Sequence, residues 1–219
     1  MNLEIIESVP WQELEQRVRQ VPLLKARKPD GGQIFVYEQA DISVRNVLPD
    51  EVNPTSFYAL KEGLQTQRDL RDALLDQHSI DTLALTELLR LRTEQGQEFG
   101  LMPPVVELQT RRVRYAPAEG ELTYDDVFEI KIPLVNDGLH RFMIAREVGS
   151  GINVIYVVGA DPEFPFYAHP NSWSDVKLVD GVPKTKAEKK LYSRENNDLL
   201  YRDFGIFGCG APRGTGKWV

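Results

Sequence analysis

Cysteine is almost missing from this chain. The single Cys209 excludes an internal disulfide and a cysteine-based structural zinc site. Long apolar runs are missing too: none reaches the roughly 20 residues that a membrane-spanning helix needs. The acidic first residues also lack the basic and apolar stretches of a secretion signal, so the expectation is a soluble cytoplasmic protein with no membrane partner. An excess of positive charge is absent as well. With 26 lysines and arginines against 33 carboxylates and a formal net charge of −7, the chain is not one that coats nucleic acid through a uniformly basic surface. A local basic patch stays open. Finally, no metal-ligand spacing is recognisable: Asp125, Asp126 and Glu129 crowd the start of one predicted strand, but their arrangement is not diagnostic of an ion.

What is present supports a folded core. A chain of 219 residues with 42% apolar content favours one domain with extensions over two full domains. The signals divide into an N-terminal accessory segment over residues 1–33, a core over 34–160 and a C-terminal extension over 161–219. Leu14, Val18 and Val21 after Trp11 predict a short helix with Ser8 as its cap. Pro29-Asp30-Gly31-Gly32 predicts a turn into a strand over Ile34 to Tyr37, and a second strand runs from Ile42 to Val47. Asn53-Pro54-Thr55-Ser56 reads as a loop opening a helix capped by Thr55 or Ser56. Two helices are predicted after it, roughly Phe57 to Asp76 and Asp81 to Gln95, the second with Leu85, Leu88 and Leu89 on one side.

Pro103-Pro104 ends the helical region. Val105 to Tyr115 and Val127 to Val135 are predicted strands flanking a turn at Pro117 to Gly120. Alternation places Arg112 and Arg114 on one face of the first of them, where they either meet phosphates or are solvated charges. The stretch from Asp161 to Trp173 is aromatic and proline-rich, and such a loop either stacks over a ligand or plugs the core. Asp180-Gly181 is a turn signal. Pro183 to Leu200 reads as a basic helix carrying Lys184, Lys186, Lys189, Lys190 and Arg194, in a region from Asp175 onward where cations outnumber carboxylates although the chain as a whole is acidic. That asymmetry suggests a contact surface for DNA, RNA or an acidic partner. Gly208 to Lys217 looks superficially like a phosphate-binding P-loop, but Ala211 stands where the pattern needs glycine and Trp218 where it needs serine or threonine.

The most informative stretch is Asp137-Gly138-Leu139-His140-Arg141. An apolar β-branched run, then Asn-Asp-Gly, then apolar residues at helical spacing predicts strand, tight turn and a helix from Leu139 to Val148, followed by a second buried strand over Ile152 to Val158. Unpaired N–H groups at such a helix start can hold a phosphate, with His140 and Arg141 as side-chain donors. The plainer reading is a turn in which Asn136 or Asp137 caps the helix and Gly138 relieves strain.

The order of these signals resembles the ParB N-terminal and sulfiredoxin superfamily. Asp137, Gly138, His140, Arg141, Ala145 and Gly149 occupy the places of its strand, turn and His-Arg helix start, and the resemblance spans about Ile34 to Val158. It implies a compact α/β (α+β) fold with a mixed sheet, flanking helices and a C-terminal extension. It also implies a pocket for a nucleoside triphosphate, ATP or CTP, with Mg as a possible companion. Gly138, His140 and Arg141 would then bind phosphate, and removal of Arg141 is expected to weaken nucleotide binding while sparing the fold. Leu139 departs from the pattern: sulfiredoxins have their nucleophilic cysteine there, and the DNA clamps and the free-serine kinase a glutamate. Leucine can neither take a proton nor hold a metal, so binding is expected without sulfinic-acid repair and with little turnover. The alternatives are a phosphotransferase or nuclease using Asp137 or His140, and a structural or partner-binding protein that has lost the ligand.

Overall fold

The apolar run Ile152–Val158 forms the strand β10, and its residues are buried toward both sides. A strand of this kind belongs inside a sheet covered on both faces. In the computed structural model, which describes residues 1–114, 127–166, 170–185, 187–188 and 200–208, β10 lies between β4 (Asp41–Val47), antiparallel to it, and β8 (Val105–Arg114), parallel to it. The strand β9 (Val127–Asp137) pairs antiparallel with β8 and completes a four-stranded mixed sheet of order β4-β10-β8-β9. Val154, Ile152 and Val106 face one core, together with Phe142, Ile144 and Ala145 of the helix α3 (Leu139–Val148). Ile155, Val157 and Val105 face the other.

That second core draws on both ends of the chain. The helix α1 (Trp11–Arg19) forms where predicted and buries Leu14 and Val18 there. Its cap is Pro10 rather than Ser8, whose hydroxyl donates to Glu87 instead. The hairpin of β2 (Pro22–Arg27) and β3 (Gln33–Phe35) turns through Gly31 at φ +86°. Phe204 and Phe207 of the C-terminal segment fill the same core. Their segment is laced in by main-chain bonds from Leu24 N–H to the Tyr201 carbonyl at 2.7 Å and from Gly100 N–H to the Gly208 carbonyl at 2.9 Å.

The helix predicted over Asp81 to Gln95 is instead a β-hairpin. Its strands β6 (Leu88–Thr93) and β7 (Glu98–Leu101) pair with each other, and β6 also pairs with β1 (Leu3–Val9). Leu89 and Leu91 pack under Leu70, Ala73 and Leu74 of the helix α2 (Lys61–His78), while Leu88 points to the opposite core. Burial on both sides of β6 makes Leu88-Leu89 look like a helical stripe, because a doubly buried strand loses the polar alternation that marks a half-exposed one. The preceding helix also starts later than predicted. Tyr58–Leu60 is a short strand, β5, parallel to β11 (Lys177–Val179), and neither Thr55 nor Ser56 caps α2, whose first turn follows Leu60. Among the described residues no helix is long and apolar enough to cross a membrane.

Several sequence predictions lie outside the described residues: Tyr115 with the turn at 117–120, Asp125 and Asp126, Tyr167 and His169, Lys186, Lys189, Lys190 and Arg194, the Arg114 side chain, and the stretch from Cys209 onward.

Candidate functional site

The strand β9 delivers Asn136 and Asp137 to a turn whose pivot is Gly138, at φ +91° and ψ +23°. Only glycine adopts this left-handed backbone without steric cost. A second requirement adds to it: a Cβ at this position would lie 2.6 Å from the Cβ of Pro104. The carbonyl of Gly138 then accepts from Arg141 N–H at 3.0 Å and Phe142 N–H at 3.2 Å, which starts α3. No side chain caps this helix, and its first turn holds no acidic residue. Neither Asn136 nor Asp137 plays the capping part. Asn136 is buried, and its amide donates at 3.0 Å to both the Tyr37 hydroxyl and the Glu107 carboxylate.

The loop Asn53-Pro54-Thr55 is clamped to the strand entering the turn. Asn53 N–H donates to the Pro133 carbonyl and Val135 N–H to the Asn53 carbonyl, both at 2.9 Å, while the Thr55 hydroxyl donates to the Val135 carbonyl at 2.8 Å. Asn171 N–H in turn reaches the Pro54 carbonyl at 2.8 Å. Over the flank of α3 sits Trp173, its indole N–H shared by the carbonyls of Pro49 and Val52 at 2.8 and 3.0 Å and its ring 5.8 Å from that of Phe142. Phe166 is buried against Leu134. The described part of the aromatic loop therefore packs on the domain, which is the plug of the two arrangements its composition allows.

Arg141 is not at the surface of the turn. Only 5% exposed, its guanidinium points inward and donates to the Met102 carbonyl, with Asp137 Oδ2 3.9 Å away. It ties α3 to the segment before β8, so Arg141→Ala is expected to cost stability as well, whereas the sequence alone suggests that the fold would be spared. His140 is largely buried. Burial pushes its pKa below the ordinary 6.5, against a hydrogen bond with the Leu60 backbone and the nearby Asp137 charge, which act the other way. The imidazole is therefore neutral at neutral pH.

This shift has a consequence for stability. Well above pH 6.5 folded and unfolded chains both carry a neutral imidazole, so the group contributes no pH dependence. As the pH falls below 6.5 the unfolded chain takes the proton first, and stability declines until the folded pKa is passed. Asp81, held below its ordinary 3.8 by its hydrogen bond with Arg71, acts only at lower pH. Urea midpoints of wild type and His140→Gln measured between pH 7.5 and 5 are expected to show a steeper acid loss in wild type; parallel profiles would contradict it.

Of the basic positions, the side chains of Arg112 and Lys184 are described. Arg112 pairs with Glu129 at 3.1 Å, and both side chains are well exposed, a contact that contributes little. Lys184 is exposed, and its N–H donates to the Glu188 carboxylate. Thr185 and Glu188 exchange hydrogen bonds as a capping box, with distances of 3.0 and 3.1 Å. Among the described residues no group of three or more His, Cys, Asp or Glu side chains converges as a metal site.

One buried polar cluster lies outside the motifs of the sequence. Glu107 and Arg202 form a fully buried ion pair, Nη2 to Oε1 2.7 Å and Nε to Oε2 3.0 Å, and the same carboxylate accepts from Tyr37, Asn136 and Gln109. Its mark in the sequence is the lone carboxylate of Glu107 in the apolar run Val105 to Leu108, which needs a partner when buried.

A mixed sheet carrying a strand, a glycine turn and an uncapped helix start defines an α+β domain organised around that turn. Residues 13–177 match the ParB CE domain, and the chain belongs to that family. No curated protein and no solved structure matched the chain in similarity searches.

Proposed function

We propose that this protein is a nucleotide-binding member of the ParB family that works in nucleic-acid transactions, with nucleotide phosphate held at the start of α3. The observation that carries this reading is the uncapped first turn after Gly138, free of acidic residues. The first N–H groups of a helix have no intrahelical acceptor and carry partial positive charge, so an anion is their natural partner. The main-chain N–H of Leu139 replaces the Arg141 guanidinium as the principal donor, because that guanidinium lies inside. Asp137, partly exposed at the edge of the turn, suits a Mg ion, which is typically held by one or two carboxylates and the phosphates themselves. Leu139 supplies neither nucleophile nor base, so the site binds rather than turns over its ligand. Arg112, Arg114 and the lysines at 184, 186, 189 and 190 are the proposed contacts for DNA or RNA.

Titration calorimetry with ATP and CTP, with and without Mg, tests the reading. Wild type is expected to bind one of them more tightly with Mg, and Asp137→Asn is expected to lose that Mg-dependent gain, about tenfold or more for a charged hydrogen-bonding ligand group. Inorganic phosphate should compete. No heat with either nucleotide at millimolar concentration would rule the site out, and an unchanged Mg effect in Asp137→Asn would remove the carboxylate from it.

A further inference from the structure

The hairpin of β8 and β9 runs past the core, and its far half is amphipathic. Phe128 and Ile130 of β9 are 53% and 41% exposed. They continue the face on which Ile132 and Leu134 are covered by Phe166 and Tyr201. Glu129 and Lys131 occupy the opposite face.

Among the described residues β9 is also an end strand of its sheet. Asn53 bonds to the outward main chain of Pro133 and Val135, which fixes the orientation of the whole strand: with a period of two, the N–H and C=O groups of Lys131 and Glu129 point to the same outer edge. Among the described residues the pairing along that edge stops at Asn53. Apolar side chains beside an open edge are an invitation to strand addition.

We infer that this edge joins two copies of the chain, their β9 strands antiparallel about Ile130, so that the two four-stranded sheets become continuous. The strand is self-complementary in that register alone. Lys131 stands opposite the partner's Glu129, and Glu129 opposite the partner's Lys131, both as hydrogen-bonded pairs because these are the outward-facing residues. Phe128 meets the partner's Ile132 on the apolar face, and Ile130 meets its own copy. Sliding by two residues in either direction would bring Glu129 against the partner's Glu129 or Lys131 against the partner's Lys131. Sliding by one would turn the apolar face over. Pro133, lacking an N–H, and Asn53 end the pairing on the inner side.

Sedimentation equilibrium of the full chain tests this. Wild type is expected to form a concentration-dependent dimer. Glu129→Lys and Lys131→Glu each place like charges opposite one another twice, and each is expected to weaken the dimer by about tenfold or more. An equimolar mixture of the two variants regains opposite pairs and should dimerise like wild type. Phe128→Thr, which leaves the charges alone, should also weaken association. All the substituted side chains are exposed, and circular dichroism checks that the variants fold. A wild type that stays monomeric at its highest soluble concentration overturns the proposal, as does a dimer indifferent to both charge substitutions or a mixture that fails to regain association.

Discussion

Arg202→Leu is expected to lower the stability of the folded chain by roughly 3–5 kcal/mol, the cost of leaving a buried charge without its partner. Glu107 is completely buried, and Arg202 is its only cationic neighbour among the described residues. The phenol of Tyr37 is pushed well above its ordinary pKa, chiefly by burial and then by the Glu107 charge. It therefore stays protonated and donates to Glu107 at 2.7 Å. Tyr37, Asn136 and Gln109 supply dipoles to the carboxylate, but none can neutralise it. Loss of Arg202 also removes the bonds from its guanidinium to the carbonyl of Leu200 at 2.6 Å, within the C-terminal segment, and to that of Phe164 at 3.0 Å, which seats the segment on the rest of the fold. Urea unfolding is the measurement. The double variant Glu107→Gln with Arg202→Met keeps an acceptor for Tyr37 and removes the charge, so it should unfold later than Arg202→Leu alone. Should Arg202→Leu unfold within about 1 kcal/mol of wild type, below the range for a broken buried pair, the ion pair does not hold the segment in place.

Gly138→Ala is expected to cost roughly 2–5 kcal/mol, in two separable parts. The left-handed backbone at φ +91° contributes about 1–2 kcal/mol for any residue with a Cβ. The contact with Pro104, at 2.6 Å to its Cβ and 2.8 Å to its Cγ, adds about 1–3 kcal/mol of overpacking against a rigid ring. Gly149 provides the control. It closes α3 at φ +65° with nothing within 4 Å of an added Cβ, so Gly149→Ala carries the backbone part only. Thermal unfolding of the two variants should rank Gly138→Ala clearly below Gly149→Ala. Equal losses would show that Pro104 yields. On the proposed function the turn positions the Leu139 N–H for phosphate, so nucleotide binding is expected to fall in Gly138→Ala and not in Gly149→Ala.

Much of this architecture can be read along the chain wherever its causes are local. Gly138 and Gly149 bracket α3 because a left-handed residue ends or begins a helix wherever it stands, and the helix runs from Leu139 to Val148 as its pattern predicts. The strands predicted over Val105 to Tyr115 and Val127 to Val135 correspond to β8 and β9, which pair with each other, and the apolar run of Ile152 to Val158 predicts the buried strand β10. The resemblance carried by Asp137 to Gly149 points to the family that residues 13–177 match.

Tertiary structure decided what depends on distant partners. Leu88 and Leu89 are equally at home in a helix or a doubly buried strand, and the hydrogen bonds of β1, some eighty residues earlier in sequence as the Ser8 to Glu87 separation of 79 shows, select the strand. Asn136 has the right chemistry for a cap, but Tyr37 and Glu107 offer it buried partners across separations of 99 and 29 residues. Arg141 looks like a surface donor by composition and is an interior one because the Met102 carbonyl lies beneath it. Arg202 meets Glu107 across 95 residues. Local pattern specifies backbone shape through sterics and periodicity, whereas the destination of a polar side chain is set by whichever buried group most needs its hydrogen bond, and that group is found only once the chain has closed on itself.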